Sequence, residues 1–298
     1  AGTPVGIAAG LVWLSAPALA WTLSRPRSVR RTVPEAQRPF LHDAAADCWR
    51  YFEENLTDED HFLPPDNVQE QPALGRAHRT SPTNIGLALL SVLAAADLGL
   101  IGREDAASRL ARTLDTVERL PKWRGHLYNW YDTRTLAVLG EKSVSSVDSG
   151  NLAGCLIALE QGLLELDAPA LAQRARRLRQ EMDFMALYDA KRALFVISLE
   201  PEKNKSAGWY DLLASEARLT SYIAVASGQV ARRHWRALGR MTVHKRGYGG
   251  LASWTGTMFE YLMPELLLPL YPDSLLDESA RLCVAQQRRR MHGGPWGM

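Results

Sequence analysis

A helix that is apolar on all sides is predicted by residues 81–98, SPTNIGLALLSVLAAADL. Ser81 suits the N-cap of this helix and Pro82 its first position. Large aliphatic side chains lie all around it: Ile85, Leu87, Leu89, Leu90, Val92 and Leu93. A helix without a polar face is expected in the interior of a protein. The next helix, residues 105–120, carries one apolar stripe of Leu110, Leu114 and Val117, so we expect it to lie at the surface.

This alternation of buried and exposed helices continues along the chain. Further pairs are predicted at 151–166 with 171–187, at 211–226 with a short exposed piece around His234, and at 255–268 with 274–290. One helix, residues 35–55, precedes the first pair, and a strand is indicated only at 194–198. Two concentric layers of antiparallel helices satisfy this pattern better than a four-helix bundle, in which each helix would show one stripe. The sequence therefore predicts an all-α fold, an α/α toroid with nine helices in residues 35–290.

The composition is that of a globular protein. The chain has 298 residues, of which 46% are hydrophobic and 23% are charged, so it can bury a sizeable core. Its net charge of +2 is too balanced for a protein that coats nucleic acid, so we expect no nucleic-acid partner. Cys48, Cys155 and Cys283 lie far apart, without a CxxC pair or a Cys/His cluster, so no metal site is predicted and the thiols are expected to be reduced.

A transmembrane helix is predicted at the N-terminus. Residues 5–23 are uncharged and mostly apolar, close to the roughly 20 residues that a membrane-spanning helix needs. Arginines follow this stretch, which places the rest of the chain on the cytoplasmic face by the positive-inside rule. The alternative is a buried helix that contains Pro17. We therefore divide the chain into a transmembrane helix (1–24), a linker rich in Pro and Arg (25–39) and the toroid domain (40–298).

Polar and aromatic motifs occur just before, or in the first turns of, the predicted inner helices. If all inner helices run in the same direction, these motifs share one end of the toroid and form one cleft with the loop at 126–132. The candidate substrate-binding residues are Tyr128, Trp130, Tyr131, Asp132, Asp148, Asn151, Trp209, Tyr210, Asp211, Trp254, Glu260 and Trp296. The candidate catalytic residue is Glu216. Aromatic rings that stack on sugars, hydroxyl-binding Asp and Asn, and glutamates that exchange protons indicate glycosidic-bond chemistry.

Each of these candidates also has a purely structural interpretation. Aromatic residues near helix starts often pack in the core, and an aspartate before a helix is often an N-cap, which applies to Asp148 and Asp211. Glu216 and Glu260 fall within apolar helical segments, where an unpaired carboxylate is costly and tends to have a raised pKa. For these two residues a functional role is favoured over a buried ion pair.

Five motifs together resemble the glycoamylase-like central domain of bacterial cyclic β-1,2-glucan synthases. They are SPTNIGL (81–87), GHLYNWYDT (125–133), SVDSGNLAG (146–154), YDLLASEAR (210–218) and WTGTMFEYLMP (254–264). The resemblance implies an (α/α)6 toroid and an inner-membrane enzyme. In such an enzyme this domain closes a linear β-1,2-glucan into a ring by transglycosylation, as a partner of the other domains of the same synthase. No cofactor is predicted.

The resemblance also assigns roles to residues. Glu216 matches the position of the catalytic acid/base, whereas the second carboxylate is expected in a Ser-Glu-Ser segment that follows the Pro295-Trp296-Gly297 motif. Because the chain ends at Met298, we expect a truncated fragment whose toroid is incomplete at its C-terminus and whose own activity is in doubt. Two other functions stay open: an endo-β-1,2-glucanase, and a non-catalytic domain that binds glucan.

Overall fold

The computed structural model describes residues 3–24, 33–291 and 293–297, and helices make up most of its regular structure. The α-helices are α1 Pro4–Leu23, α2 Arg38–Asn55, α3 Pro82–Asp97, α4 Arg103–Arg119, α5 Ser146–Glu165, α6 Pro169–Gln180, α7 Arg218–Ala226, α8 Arg233–Ala237, α9 Met258–Leu262 and α10 Leu275–Arg290. The nine helices predicted in residues 35–290 are therefore present. Of the predicted linker 25–39, residues 25–32 lie outside the described residues, and α2 begins within its last part.

The alternation of buried and exposed helices is confirmed for the first three pairs. It is wrong for the last pair, because α9 has one buried residue whereas α10, predicted to be exposed, has six. Helix α5 lies at the centre, where it packs against α3, α6 and α7, and α3 packs in turn against α2 and α4. Buried side chains are spread around α3 and α5, whereas the predicted stripe of Leu110, Leu114 and Val117 is the buried face of α4. Ser81 caps α3 as predicted, because its hydroxyl accepts the Asn84 N–H at 3.2 Å. The core therefore lies between an inner row of helices (α3, α5, α7) and an outer row that contains α4 and α6.

Short strands accompany the helices, so the all-α prediction is wrong in this respect. They are β1 Val68–Gln69, β2 Gly75–Arg76, β3 Arg79–Thr80, β4 Lys122–Trp123, β5 His126–Leu127, β6 Tyr131–Asp132, β7 Val144–Ser145, β8 Tyr188–Asp189, β9 Leu194–Glu200, β10 Lys205–Tyr210, β11 Thr242–Lys245 and β12 Tyr248–Leu251. The strand predicted at 194–198 is the first part of β9. It pairs antiparallel with β10, β7 and β8 in a four-stranded sheet.

Helix α7 starts later than the sequence predicts. The prediction begins at residue 211, but the backbone of Asp211 and Leu213 bonds to Gly239, which prevents these residues from forming the first helical turn. The helix starts only at Arg218, and Glu216 lies in the turn that precedes it.

Three other helix boundaries also differ from the prediction. Helix α5 begins five residues earlier than residue 151, since the Ser145 hydroxyl caps it by accepting the Asp148 N–H. Helix α6 ends at Gln180, and the end of the predicted 171–187 segment forms a 3-10 turn, Phe184–Leu187. The α-helix predicted at 255–268 is limited to α9 and a 3-10 turn, Met263–Leu266, in which Pro264 lacks the N–H that a continued helix would need.

The piece around His234 is exposed as predicted, except for His234 itself. That ring is fully buried, with Nδ1 2.8 Å from the Ala193 carbonyl oxygen and Nε2 2.8 Å from the Ser221 hydroxyl. The histidine therefore connects α8 to α7 and to the turn that precedes β9.

The predicted transmembrane segment forms helix α1. Within the described residues, however, no helix is both long enough and apolar enough to cross a membrane, so the transmembrane prediction is not supported.

Candidate active site

Three carboxylates from separate elements of the chain converge on one place. Asp148 lies in the first turn of α5, Glu216 in the turn before α7, and Glu260 in α9. They are close enough that the charges of Asp148 and Glu260 both act on the Glu216 carboxyl. These three residues therefore lie close together, as expected from their places near the starts of inner helices.

Glu216 has the properties of a proton donor at neutral pH. Burial, followed by the negative charges of Asp148 and Glu260, raises the pKa of Glu216 to about 7. A hydrogen bond with the Tyr210 hydroxyl opposes this rise in part. A carboxyl group with a pKa near neutrality can both give and take a proton, which is the requirement for general acid/base catalysis.

Glu260 is held in the ionised form by its surroundings. Its Oε2 accepts hydrogen bonds from the Ser253 hydroxyl (2.8 Å), the Thr255 hydroxyl (2.7 Å), and the backbone N–H groups of Thr255 and Gly256 (both 2.9 Å). Burial alone would raise the pKa of Glu260, but these hydrogen bonds lower it. Glu260 therefore presents a fixed negative charge to Glu216.

Asp148 is anchored from two sides. Its Oδ1 accepts the Thr83 hydroxyl at 2.6 Å, and the Thr83 oxygen accepts the buried Asn151 amide at 3.0 Å. In the orientation that satisfies its neighbours, the Asn129 amide donates to Asp148 Oδ2 (3.2 Å) and accepts the indole N–H of Trp130 (3.2 Å). Both carboxylate oxygens are thus engaged, which fixes the position of Asp148 beside Glu216.

An aromatic platform lies next to the carboxylates. The rings of Tyr210 and Trp254 stack with centroids 5.5 Å apart and planes inclined by 24°. The Trp254 indole N–H donates to Asp211 Oδ1 at 2.9 Å, and Trp254 is 48% exposed. Burial and the charge of Glu216 raise the pKa of Tyr210, so its hydroxyl keeps its proton. Two of the predicted substrate-binding residues, Tyr210 and Asp211, are thus connected to each other through Trp254.

Other predicted residues have structural roles. Tyr131 is fully buried, and its hydroxyl donates to the Pro121 carbonyl (2.6 Å) and accepts the Tyr128 N–H (2.7 Å). Asp132 accepts the backbone N–H groups of Arg134 and Thr135 and so closes a turn. The half-buried Tyr128 side chain packs against two hydrophobic clusters of the core.

Two of the predicted tryptophans contact arginine side chains. Trp209 donates to Asp189 at 3.2 Å, and the Arg192 guanidinium lies 4.0 Å from its ring centroid. Neighbouring residues of a strand point to opposite faces, so Trp209 faces away from Tyr210. Trp296 interacts with Arg288, whose guanidinium lies 5.6 Å from its ring centroid.

The sequence analysis missed the residues that hold the carboxylates in place. Thr83 and Asn129 position Asp148, whereas Ser253, Thr255 and Gly256 position Glu260. All five lie in the motifs of the sequence analysis or next to one, and this position is the signal by which they could have been found. Their role depends on contacts between distant parts of the chain, as with Thr83 and Asp148.

Two further features lie outside this cluster. Asp273, Asp277 and Glu278 are close enough together to hold a metal ion, but Arg281 forms an ion pair with each of them. A cavity of about 690 Å³ lies between Tyr248 and α10, and none of the three converging carboxylates is among its lining residues. The catalytic candidates therefore occupy a different surface from this cavity.

The predicted resemblance to cyclic β-1,2-glucan synthases is confirmed by comparison with known proteins. The chain is 32% identical, over 99% of its length, to the cyclic β-(1,2)-glucan synthase NdvB of Rhizobium meliloti (strain 1021), and it covers 15% of the length of that relative. A family model described as a protein of unknown function, DUF3131, matches residues 43–189.

Solved structures share the fold. One is an endo-β-1,2-glucanase from Chitinophaga pinensis in complex with sophorotriose and glucose. Its TM-score is 0.67 at 16% identity, and the match covers 83% of this chain and 66% of the glucanase chain. A β-1,2-glucanase from Parabacteroides distasonis has a TM-score of 0.66 at 16% identity, covering 89% of this chain and 44% of its own. The mostly helical architecture is therefore that of these glucanases.

Proposed function

We propose that this chain is a β-1,2-glucan-processing domain in which Glu216 is the catalytic acid/base. The observation that carries the proposal is the place of the partly buried Glu216 beside two anchored carboxylates, Asp148 and Glu260. Burial, and then the negative charges of these two carboxylates, raise the pKa of Glu216 to about 7. The stacked Tyr210 and Trp254 beside it offer a flat apolar surface of the kind that sugar rings contact. The similarity to NdvB supports β-1,2-glucan as the substrate.

The reaction we propose is cyclisation of linear β-1,2-glucan by transglycosylation. Glu216 gives its proton to the glycosidic oxygen as the bond to the anomeric carbon breaks, while a second carboxylate attacks that carbon and forms a glycosyl ester. Glu216 then takes the proton of a hydroxyl at the other end of the same glucan as that hydroxyl displaces the carboxylate. As the second carboxylate we propose the glutamate of the Ser-Glu-Ser segment that the resemblance implies.

Product analysis tests this proposal. Linear β-1,2-glucan is incubated with the chain, and with a version extended past Met298 to include the Ser-Glu-Ser segment. We expect cyclic products from the extended version. Short linear products would indicate an endo-β-1,2-glucanase instead, in which water replaces the glucan hydroxyl. If neither version changes the glucan, the catalytic proposal is wrong and a glucan-binding role is the alternative.

Matched variants show whether a product comes from this site. Glu216→Gln in the extended version is expected to remove nearly all product formation, whereas Glu53→Gln, which changes an exposed glutamate of α2, is expected to keep it. Location on the cytoplasmic side of the bacterial inner membrane stays a prediction of the sequence, which a reporter fused to the natural protein would test.

A further inference from the structure

A chain of polar contacts leads from the carboxylates to an exposed arginine. From Asp148 it passes to the Asn129 amide and then to the Trp130 indole, over which the Arg79 guanidinium lies 4.8 Å from the ring centroid. Arg79 in turn pairs with Asp66. None of the roles assigned above uses Asp66 or Arg79.

The structure fixes Arg79 in place. Its Nε and Nη2 atoms donate to Asp66 Oδ2 at 3.1 and 2.8 Å, and Asn84 donates to Asp66 Oδ1 at 3.3 Å. Its backbone carbonyl accepts the Asp66 N–H at 2.7 Å, and its strand β3 pairs with β6 opposite Asp132. The guanidinium is thus held by its pair, by the ring beneath it and by two backbone connections.

Stability gives little reason for this arrangement. The Arg79 side chain is 51% exposed and that of Asp66 is 20% exposed. An exposed ion pair of this kind contributes only about 0 to 1 kcal/mol. A guanidinium has five N–H groups, and Asp66 accepts two of them, so three donors of Arg79 remain without a partner among the described residues. A half-exposed guanidinium that is held in place and keeps unpaired donors suits the recognition of a ligand.

We infer that Arg79 and Asp66, supported by Trp130, form a second sugar-binding subsite that takes a glucose unit of the glucan remote from the bond that is cleaved. This inference rests on the proposed function. Asp66 Oδ2 is engaged by Arg79 and by the Asn67 amide (3.2 Å), whereas Asp66 Oδ1 accepts one hydrogen bond, from Asn84. Arg79 therefore supplies donors and Asp66 Oδ1 supplies an acceptor, which matches sugar hydroxyl groups, since these both donate and accept. An anionic ligand fits less well, because the charge of Arg79 is balanced by Asp66 and because Asp132 lies opposite in the β-ladder.

The subsite also changes the expected role of Trp130. The sequence analysis assigns Trp130 to substrate binding, but Arg79 covers a face of its ring. Trp130 is therefore a positioning residue for Arg79, and sugar contacts are made through the guanidinium and Asp66.

Binding measurements test the inference without requiring turnover. Titration calorimetry is carried out with the Glu216→Gln chain and linear β-1,2-gluco-oligosaccharides, one a disaccharide and one long enough to reach Arg79. Adding Arg79→Ala is expected to weaken binding of the long oligosaccharide about tenfold, since charge-assisted hydrogen bonds are lost, and to leave the disaccharide unchanged. Arg79→Lys, which keeps the charge but lacks the planar fork, is expected to lose part of this affinity.

The control is Arg50→Ala, which removes an exposed ion pair with Asp47 on α2. It should bind both sugars as the parent chain does. If Arg79→Ala, with an unchanged melting temperature, binds the long oligosaccharide as tightly as Arg50→Ala does, the subsite is wrong and the proposed function stands. An equal loss for both sugars also contradicts a remote subsite. If the parent chain with Arg79 intact binds no β-1,2-glucan of any length, the proposed function fails as well.

Discussion

The Thr83 hydroxyl of α3 donates a hydrogen bond of 2.6 Å to Asp148 Oδ1 of α5. Both residues lie in the first turns of their helices. Asn151, one turn further along α5, donates its side-chain amide to the Thr83 hydroxyl oxygen. The first turns of two inner helices are therefore connected through side chains at the point where the catalytic candidates meet. This connection fixes the negative charge of Asp148 that acts on Glu216.

Removing the Thr83 hydroxyl should harm both stability and activity. We expect Thr83→Val to lower the free energy of unfolding by about 1 to 3 kcal/mol, because the buried Asn151 amide loses its acceptor and Asp148 loses a donor. Thr83→Ser keeps the hydroxyl and should retain most of both properties. Denaturant unfolding and product assays of the two variants measure these effects. Equal stability of the Val and Ser variants would show that the hydroxyl does not contribute.

Glu216→Gln should reduce glucan processing about 10²- to 10⁴-fold, which is the usual contribution of a general acid/base. The amide is nearly the same shape but cannot exchange a proton. In the wild-type protein, kcat/KM should fall as the pH rises through about 7, because the carboxyl must be protonated to act as an acid. Initial rates between pH 5 and 9 test both expectations. A variant that keeps more than half of the wild-type rate would remove Glu216 from the mechanism.

Much of the helical core could be predicted from the sequence, since apolar residues on all sides of α3 and α5, and a single stripe on α4, reflect burial directly. Strand β10 could not be predicted. Its sequence, KSAGWY, is mostly exposed, and it is a strand because it pairs with β9 across the turn at Asn204. The late start of α7 likewise depends on Gly239, which is far from Asp211 in sequence.

Only part of the candidate site could be predicted from the sequence. Asp148, Glu216 and Glu260 stand in motifs near the starts of inner helices, so their convergence follows from the direction of those helices. The same rule selected Tyr131, which is fully buried and bonds to the Pro121 carbonyl, and Asp132, which accepts backbone N–H groups of its own loop. Whether a polar residue in a motif contacts substrate or backbone is determined by tertiary contacts, which the sequence pattern does not contain.

The contributions of Glu216 and Glu260 to the stability of the fold should change with pH in opposite directions. The pKa of Glu216 is raised to about 7, so from about pH 4.5 to 7 the folded state holds a proton that the unfolded state has released, and stability falls as pH rises. Glu216→Gln removes the free-energy cost of ionising this carboxyl in the folded state. We expect it to be more stable than wild type by about 1 to 3 kcal/mol at pH 8, after allowance for partial exposure, and equal to it near pH 4.5.

Glu260→Gln is the matched control for that experiment. The pKa of Glu260 is lowered, so its contribution to stability is present above the unfolded pKa and is lost as pH falls through the folded pKa. We expect this variant to be less stable than wild type at pH 7 and the difference to narrow in acid. Melting temperatures of the three proteins between pH 4 and 8 measure both trends. If both variants shift stability in the same direction at pH 8, the assigned ionisation states are wrong.

Gly150 allows α5 and α7 to approach closely beside the site. A Cβ atom at this position would lie only 1.9 Å from Thr220 Oγ1 and 2.6 Å from Thr220 Cα, so backbone as well as side chain would have to move. We expect Gly150→Ala to destabilise the fold by about 3 kcal/mol, at the upper end for an overpacked core, and to displace Asp148 from Thr83. Gly102→Ala is the control, because no atom lies within 4 Å of its added methyl group. Denaturant unfolding compares the two, and a Gly150→Ala protein as stable as the Gly102→Ala protein would mean that α5 and α7 do not pack this closely.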